Sequence, residues 1–183
     1  MRTRAYVAIS VLGLLLLAVW LALPLSLQRF EVLGASMVPT LKEGDYILVD
    51  KISYHFHPPA RGDIVVFRYP GDTSRDFIKR VIAVPGDKIA IKRENGTYHV
   101  FVNNKMLNQL YSNEAPDGPY PADCAAPKTC TPETVQPKHV FVMGDNPGAS
   151  FDSRSWGQLP MSDMIGRARI SYWPLSHLSL LPS

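Results

Sequence analysis

A chain of 183 residues, 46% of them hydrophobic and with a net charge of +3, has room for one ordinary domain plus one membrane segment. Its 19 Lys and Arg are spread along the chain rather than gathered into a stripe, which excludes nucleic acid as an expected partner. The 16 prolines and 12 glycines, scattered throughout, argue against a helical bundle and for a turn-rich β protein.

Residues 1–4 read as a short cytoplasmic N-terminus carrying Arg2 and Arg4. No charge follows until Arg29, and residues 5–27 are apolar almost throughout. At a rise of about 1.5 Å each, such a helix spans roughly 34 Å, enough for a bilayer core of about 30 Å. The arginines before it and Trp20 near its far end suit a transmembrane helix with its N-terminus inside, and Pro24 would end or kink it near the exit. A cleaved leader is the rival reading. It needs a shorter apolar region and a small-x-small site, whereas residues 21–27 place large side chains at most candidate positions. The retained anchor is the expectation, with residues 28–183 on the non-cytoplasmic side.

Beyond the anchor, short runs rich in β-branched and aromatic residues predict strands over 46–49, 63–67, 77–84, 88–91, 98–102, 139–143 and 168–172. Asn95-Gly96, between two such runs, predicts a tight hairpin, because both central positions tolerate positive φ. No amphipathic stretch of helical length stands out. The fold expected is mainly β, an antiparallel-sheet domain preceded by one N-terminal transmembrane helix. Residues 103–138, proline-rich and poor in apolar runs, read as a loop-rich surface excursion rather than a second domain. Cys124 and Cys130 lie within it. In an oxidising compartment a local disulfide is the simplest reading, with free thiols and a zinc half-site as alternatives. No second Cys or His pair has zinc spacing, so no metal is expected.

Two residues could carry chemistry. Ser36 sits in Gly34-Ala35-Ser36-Met37-Val38-Pro39, just past the anchor, and Lys79 sits among Phe77, Ile78, Val81 and Ile82. A serine hydroxyl becomes a nucleophile when a base takes its proton, and a neutral lysine can be that base. Working near pH 8 requires lowering the amine from its reference value of about 10.4 by roughly 2 units, about 3 kcal/mol against the charged form. Burial among apolar neighbours supplies such a bias. If 77–84 is a strand, Lys79 and Arg80 point to opposite faces, so one can be buried while the other stays in water. Five histidines leave a Ser-His-Asp hydrolase as an alternative, but neither a Gly-x-Ser-x-Gly elbow nor an HExxH helix occurs.

Four blocks in order carry a more specific signal: 36–41, 44–51, 61–67 running on to 77–87, and 144–157. In this order they resemble type I signal peptidase, the membrane-anchored serine protease that removes signal peptides from exported proteins. The resemblance covers roughly half the chain, residues 33–88 and 141–167, and the anchor matches the family's topology. It implies a signal-peptidase/LexA-like β fold, Ser36 as nucleophile and Lys79 as general base. It further implies Ser150 as the hydroxyl that bonds and orients the lysine amine, and Asp152 and Arg154 as a structural ion pair beside the site. Asp145 and Asn146 fall in the same turn and are expected to shape it.

Val32, Met37, Leu41, Phe77 and Ile78 lie beside the catalytic positions and are candidates for two shallow pockets that accept small side chains. The expected substrate is the signal peptide of a preprotein, cut after small residues through an acyl-enzyme. The expected setting is the bacterial cytoplasmic membrane or an organellar equivalent, with the lipid bilayer and a secretion translocon nearby and no cofactor. Some family members carry a serine hydroxyl two residues before the nucleophile as an oxyanion donor, and this chain has Gly34 there. It also has Pro147-Gly148 where the family often shows Arg-Asp. Self-cleaving Ser-Lys repressors share such a core but carry a DNA-binding N-terminus. A different Ser-Lys processing peptidase, or a non-catalytic anchored peptide-binding β domain, are the other readings.

Overall fold

In the computed structural model, residues 11, 13–14, 26–94, 97–107 and 133–182 are described. The predicted anchor lies almost wholly outside them, as do Cys124 and Cys130. Among the described residues no helix is long and apolar enough to cross a membrane.

Two antiparallel sheets make the fold. The larger runs β1 (Leu27–Glu31), β2 (Tyr46–Asp50), β11 (Met164–Trp173), β3 (Ile64–Tyr69), β4 (Asp72–Ala83), β9 (His139–Met143), β10 (Leu159–Pro160), with β12 (Ser179–Leu180) pairing on β11. The smaller orders β7 (Lys105–Met106), β6 (Thr97–Val102), β5 (Lys88–Glu94), β8 (Glu133–Thr134). Beside the sheets lie two short α-helical turns, α1 (Ser53–Phe56) and α2 (Ser153–Trp156), and 3-10 turns at Pro147–Ala149, Met161–Asp163 and Leu175–His177.

All seven predicted strands are present. β5 and β6 pair with Glu94 opposite Thr97, as a two-residue hairpin turn requires, while residues 95–96 themselves lie outside the described set. Two strands begin earlier than their apolar runs. The first residues of β4 are polar and exposed, and their extended backbone is held by pairing with β3 from Tyr69↔Asp72 onward. β11 starts at Met164 because Gly166 breaks the alternation there. A Cβ at Gly166 would collide with the Asp50 carbonyl of neighbouring β2, so the close strand approach selects glycine.

Two expectations are corrected. The apolar run was expected to stay helical to residue 27, but Leu27 already opens β1 and pairs with Asp50. The excursion is not loop throughout: Lys105–Met106 and Glu133–Thr134 extend the smaller sheet, and Val135 is buried in its core.

The sheet faces bury three apolar clusters. Ile89, Ile91, Val100, Val102, Phe141 and Met143 join the smaller sheet to the larger. On the larger sheet, Val65, Phe67, Val81, Val140, Val142 and Leu159 fill one cluster, and Ile47, Val49, Ile64, Val66 and Ala168 fill another with Met37 and Leu41. The alternation of β3 between these clusters, odd residues in one and even in the other, is the period-2 pattern of a strand buried on both faces.

Candidate active site

Strand β4 carries Lys79 into the centre of the larger sheet, opposite Val65 of β3. The side chain is 4% exposed, and Phe77 of the same strand lies with its ring centroid 5.4 Å from the amine. Burial pushes the Lys79 amine down to about 8, with Arg154 helping and Asp152 and Asp145 opposing. Arg80, the next residue, points the other way as strand alternation demands. Its guanidinium pairs with Asp145 and also reaches Thr40 Oγ1 and the Gly62 carbonyl.

Ser36 lies in the turn between β1 and β2. Main-chain bonds from Val32 N–H to Asp45 O and from Gly44 N–H to Val32 O close the base of that segment. Met37 and Leu41 anchor its underside, both fully buried. The result sets Ser36 Oγ 2.8 Å from Lys79 Nζ, across 43 residues of sequence. The amine also donates to the Ile78 carbonyl at 2.8 Å. A neutral amine has two protons and one lone pair. With one N–H spent on Ile78, the lone pair can take the Ser36 proton.

The third segment follows β9. Asp152 caps the single turn α2, accepting the Arg154 N–H, and Gly157 at φ 89° ends that turn in a conformation suited to glycine. The Asp152 carboxylate accepts the Arg154 guanidinium on both oxygens at 2.8 Å, the Ser150 hydroxyl at 2.7 Å and the Gly144 N–H at 3.0 Å. Both charged side chains are fully buried. Arg154 reaches on to the Pro147 and Ser150 carbonyls, so one ion pair fixes the whole 144–154 loop.

Ser150 differs from expectation. Its hydroxyl donates to Asp152 at 2.7 Å, while the hydrogen bonds of the Lys79 amine among the described residues go to Ser36 Oγ and the Ile78 carbonyl. Gly144 permits the close approach of this loop to Ser36: a Cβ there would overlap both Ser36 O and Ser150 Oγ. Asn146 completes the join, donating its N–H to Ser36 O at 3.0 Å and its side-chain amide to Ala35 O at 3.2 Å.

Ser36 and Lys79 border a groove of about 440 Å³, lined also by residues 30–35 and 76–78, with Ala149 and Phe151. Of the predicted pocket residues, Val32, Phe77 and Ile78 line it. Met37 and Leu41 do not. They neighbour Ser36 in sequence, but the turn points them beneath it into the core. Phe30, Leu33, Asp76 and Phe151 were missed. The available signal for Phe151, half exposed, was its position next to Ser150. Among the described residues the second edge of β4 is unpaired from Asp76 to Lys79, since β9 pairs with β4 only from Arg80 onward. Outside the groove, His177 Nδ1 lies 2.7 Å from Asp45 Oδ1, tying the C-terminal segment to the base of the serine turn. Among the described residues no group of His, Cys, Asp and Glu is placed to hold a metal ion.

Comparison with known proteins places this geometry in context. Residues 4–173 match the family model described as signal peptidase, peptidase S26. The chain is 41% identical over 155 residues to a probable signal peptidase I-1 of Synechocystis sp., covering 81% of this chain and 72% of that protein. It is 37% identical to signal peptidase I of Leptolyngbya laminosa, over 80% of this chain and 68% of the relative. With signal peptidase I of Bacillus caldolyticus the identity is 33%, over 95% of this chain and 91% of the relative.

Proposed function

The chain belongs to the signal peptidase family, peptidase S26, as a type I signal peptidase, and on that footing we propose that Ser36 and Lys79 form its catalytic dyad. The observation that carries the proposal is the 2.8 Å approach of Ser36 Oγ to a lysine amine that burial holds near neutrality. Lys79 takes the Ser36 proton as Oγ attacks the scissile carbonyl carbon. The same lysine returns that proton to the leaving amine and then activates the water that hydrolyses the acyl-enzyme. The Ser36 main-chain N–H, which has no partner among the described residues, is available to the oxyanion. Asp152, Arg154 and Asp145 hold the loop and the charges around the base, while Ser150 steadies Asp152.

The substrate is the signal peptide of an exported preprotein. Its extended segment adds along the open edge of β4 at Asp76 and Ile78, where main-chain pairing gives affinity and alternate side chains enter the groove. Val32, Phe77 and Ile78 narrow that groove around small side chains. The apolar run ahead of β1 is the membrane anchor, N-terminus inside, and sets the catalytic domain outside the cytoplasmic membrane close to where preproteins emerge. This orientation gives the enzyme and the embedded signal segment a common height above the bilayer.

The direct test incubates the purified full-length protein with a preprotein and compares Ser36→Ala and Lys79→Ala with a His139→Ala control. Cleavage is expected from the wild type and the control alone, and full cleavage by either dyad variant would sink the assignment. The pH profile supplies a second check. With the amine at about 8, the rate is expected to fall about tenfold per unit as pH drops below that value and to level off above it. A profile flat to pH 5 would point to another base. Gly144→Ala tests the packing of the third segment: its methyl displaces the Ser36 main chain, and cleavage is expected to fall about 100-fold in a steady-state assay.

A further inference from the structure

The oxyanion hole of this chain lacks a side-chain donor at Gly34, whose φ of 77° suits glycine. What the structure offers instead lies behind the Ala35–Ser36 peptide. Asn146 Nδ2 donates to the Ala35 carbonyl at 3.2 Å, and that oxygen also accepts the Val38 N–H at 3.3 Å. The Asn146 main-chain N–H donates to the next carbonyl, Ser36 O, at 3.0 Å. One residue therefore clamps the peptide on each side of the nucleophile.

The consequence follows from amide geometry. In a trans peptide the carbonyl and N–H point in opposite directions, so fixing Ala35 O fixes the direction of the Ser36 N–H. Donation to the carbonyl also draws charge across the amide and makes its N–H a stronger donor, as in any hydrogen-bonded chain. We infer that Asn146 is a positioning residue for the oxyanion hole, orienting and polarising the Ser36 N–H from behind and thereby acting where the Gly34 hydroxyl is missing. The inference rests on the Ser36–Lys79 reading above. Asn146 touches neither substrate nor the lysine amine, so its effect falls on the charged oxygen of the transition state and on little else.

The experiment uses the full-length protein with two variants, Asn146→Ala and the near-isosteric Asn146→Leu, which fills the same space without an N–H. Each is assayed for peptide cleavage and for inhibition by a peptide aldehyde of the same sequence. Ser36 Oγ adds to the aldehyde carbon, the carbonyl oxygen takes the π pair and sits where the oxyanion sits, and the serine proton passes to Lys79.

Both variants are expected to lose about tenfold in kcat and about tenfold in aldehyde affinity. KM should stay within about twofold and the acidic limb of the pH profile should not move. Wild-type kcat and aldehyde affinity in either variant would overturn the inference. So would rescue by Leu, or a loss that appears in KM, in the pH limb or in the unfolding midpoint, each of which marks a merely structural role. A wild-type protein that neither cleaves the peptide nor binds the aldehyde would instead sink the dyad reading itself.

Discussion

Lys79→Met is expected to slow cleavage by about 10⁴-fold while making the folded protein more stable at pH 7. The loss of rate follows from removing the one basic atom that, among the described residues, hydrogen-bonds Ser36 Oγ, and adding Ser36→Ala to it should cost little more if the two act as a unit. The gain in stability follows from linkage. The folded amine titrates at about 8 and the unfolded one near 10.5. Between those values the unfolded chain holds the extra proton, so wild-type stability rises with pH across that window. Below about pH 8 both states are protonated, and the folded state carries the full penalty of a buried ammonium, roughly 3 kcal/mol at most. Methionine fills similar space with no charge. Its advantage should therefore be largest at pH 7 and fade between pH 8 and 10.5, as read by urea denaturation at several pH values. Equal stability at pH 7 and at pH 10.5 relative to wild type would contradict a neutralised buried lysine.

The second large effect is structural. Arg154→Met leaves the Asp152 carboxylate buried without its cation, and removing one partner of a fully buried pair costs about 3–5 kcal/mol. The loss should appear as a lowered denaturation midpoint at unchanged cooperativity. Activity should respond in a second, separable way. Arg154 helps hold the Lys79 amine down while Asp152 lifts it, so without Arg154 the acidic limb of the pH–rate profile should move to higher pH. A midpoint within about 1 kcal/mol of wild type would mean that the loop takes its shape from packing rather than from the ion pair.

What could be read from the sequence divides along physical lines. Strands such as 46–49, 63–67 and 139–143 are β-branched, buried and bounded by turns, so their signal is local. β1 hid behind the anchor because Leu-Gln-Arg-Phe-Glu has no sustained alternation; its pairing with β2 decides its form. Strands of two residues, such as β7 and β8, exist only through their partners and leave no local trace.

At the site, Ser36 and Lys79 lie within hydrogen-bond distance of each other. Which side chains wall the groove was less legible. Met37 flanks Ser36 in sequence yet packs under it, whereas Phe30 and Phe151 come from other segments and line it. Nearness along the chain tracks nearness in space for alternating strand residues but not through a turn. The Ser150 hydroxyl shows a further limit: its bond to Asp152 depends on where Arg154 anchors the carboxylate, a three-body arrangement without a linear pattern.

The distance in sequence between the parts of the site has a consequence for when the protein becomes active. Ser36, Lys79 and the loop from Gly144 to Arg154 come from three separate stretches, and the last is added after three quarters of the chain has been synthesised. Until the fold buries it, Lys79 keeps the ordinary lysine value, so near neutral pH far fewer copies hold the unprotonated amine that can take a proton from serine than in the folded protein. On the proposed dyad, a nascent or misfolded copy therefore carries Ser36 and Lys79 and cuts poorly. Completion of the fold acts as the safety catch.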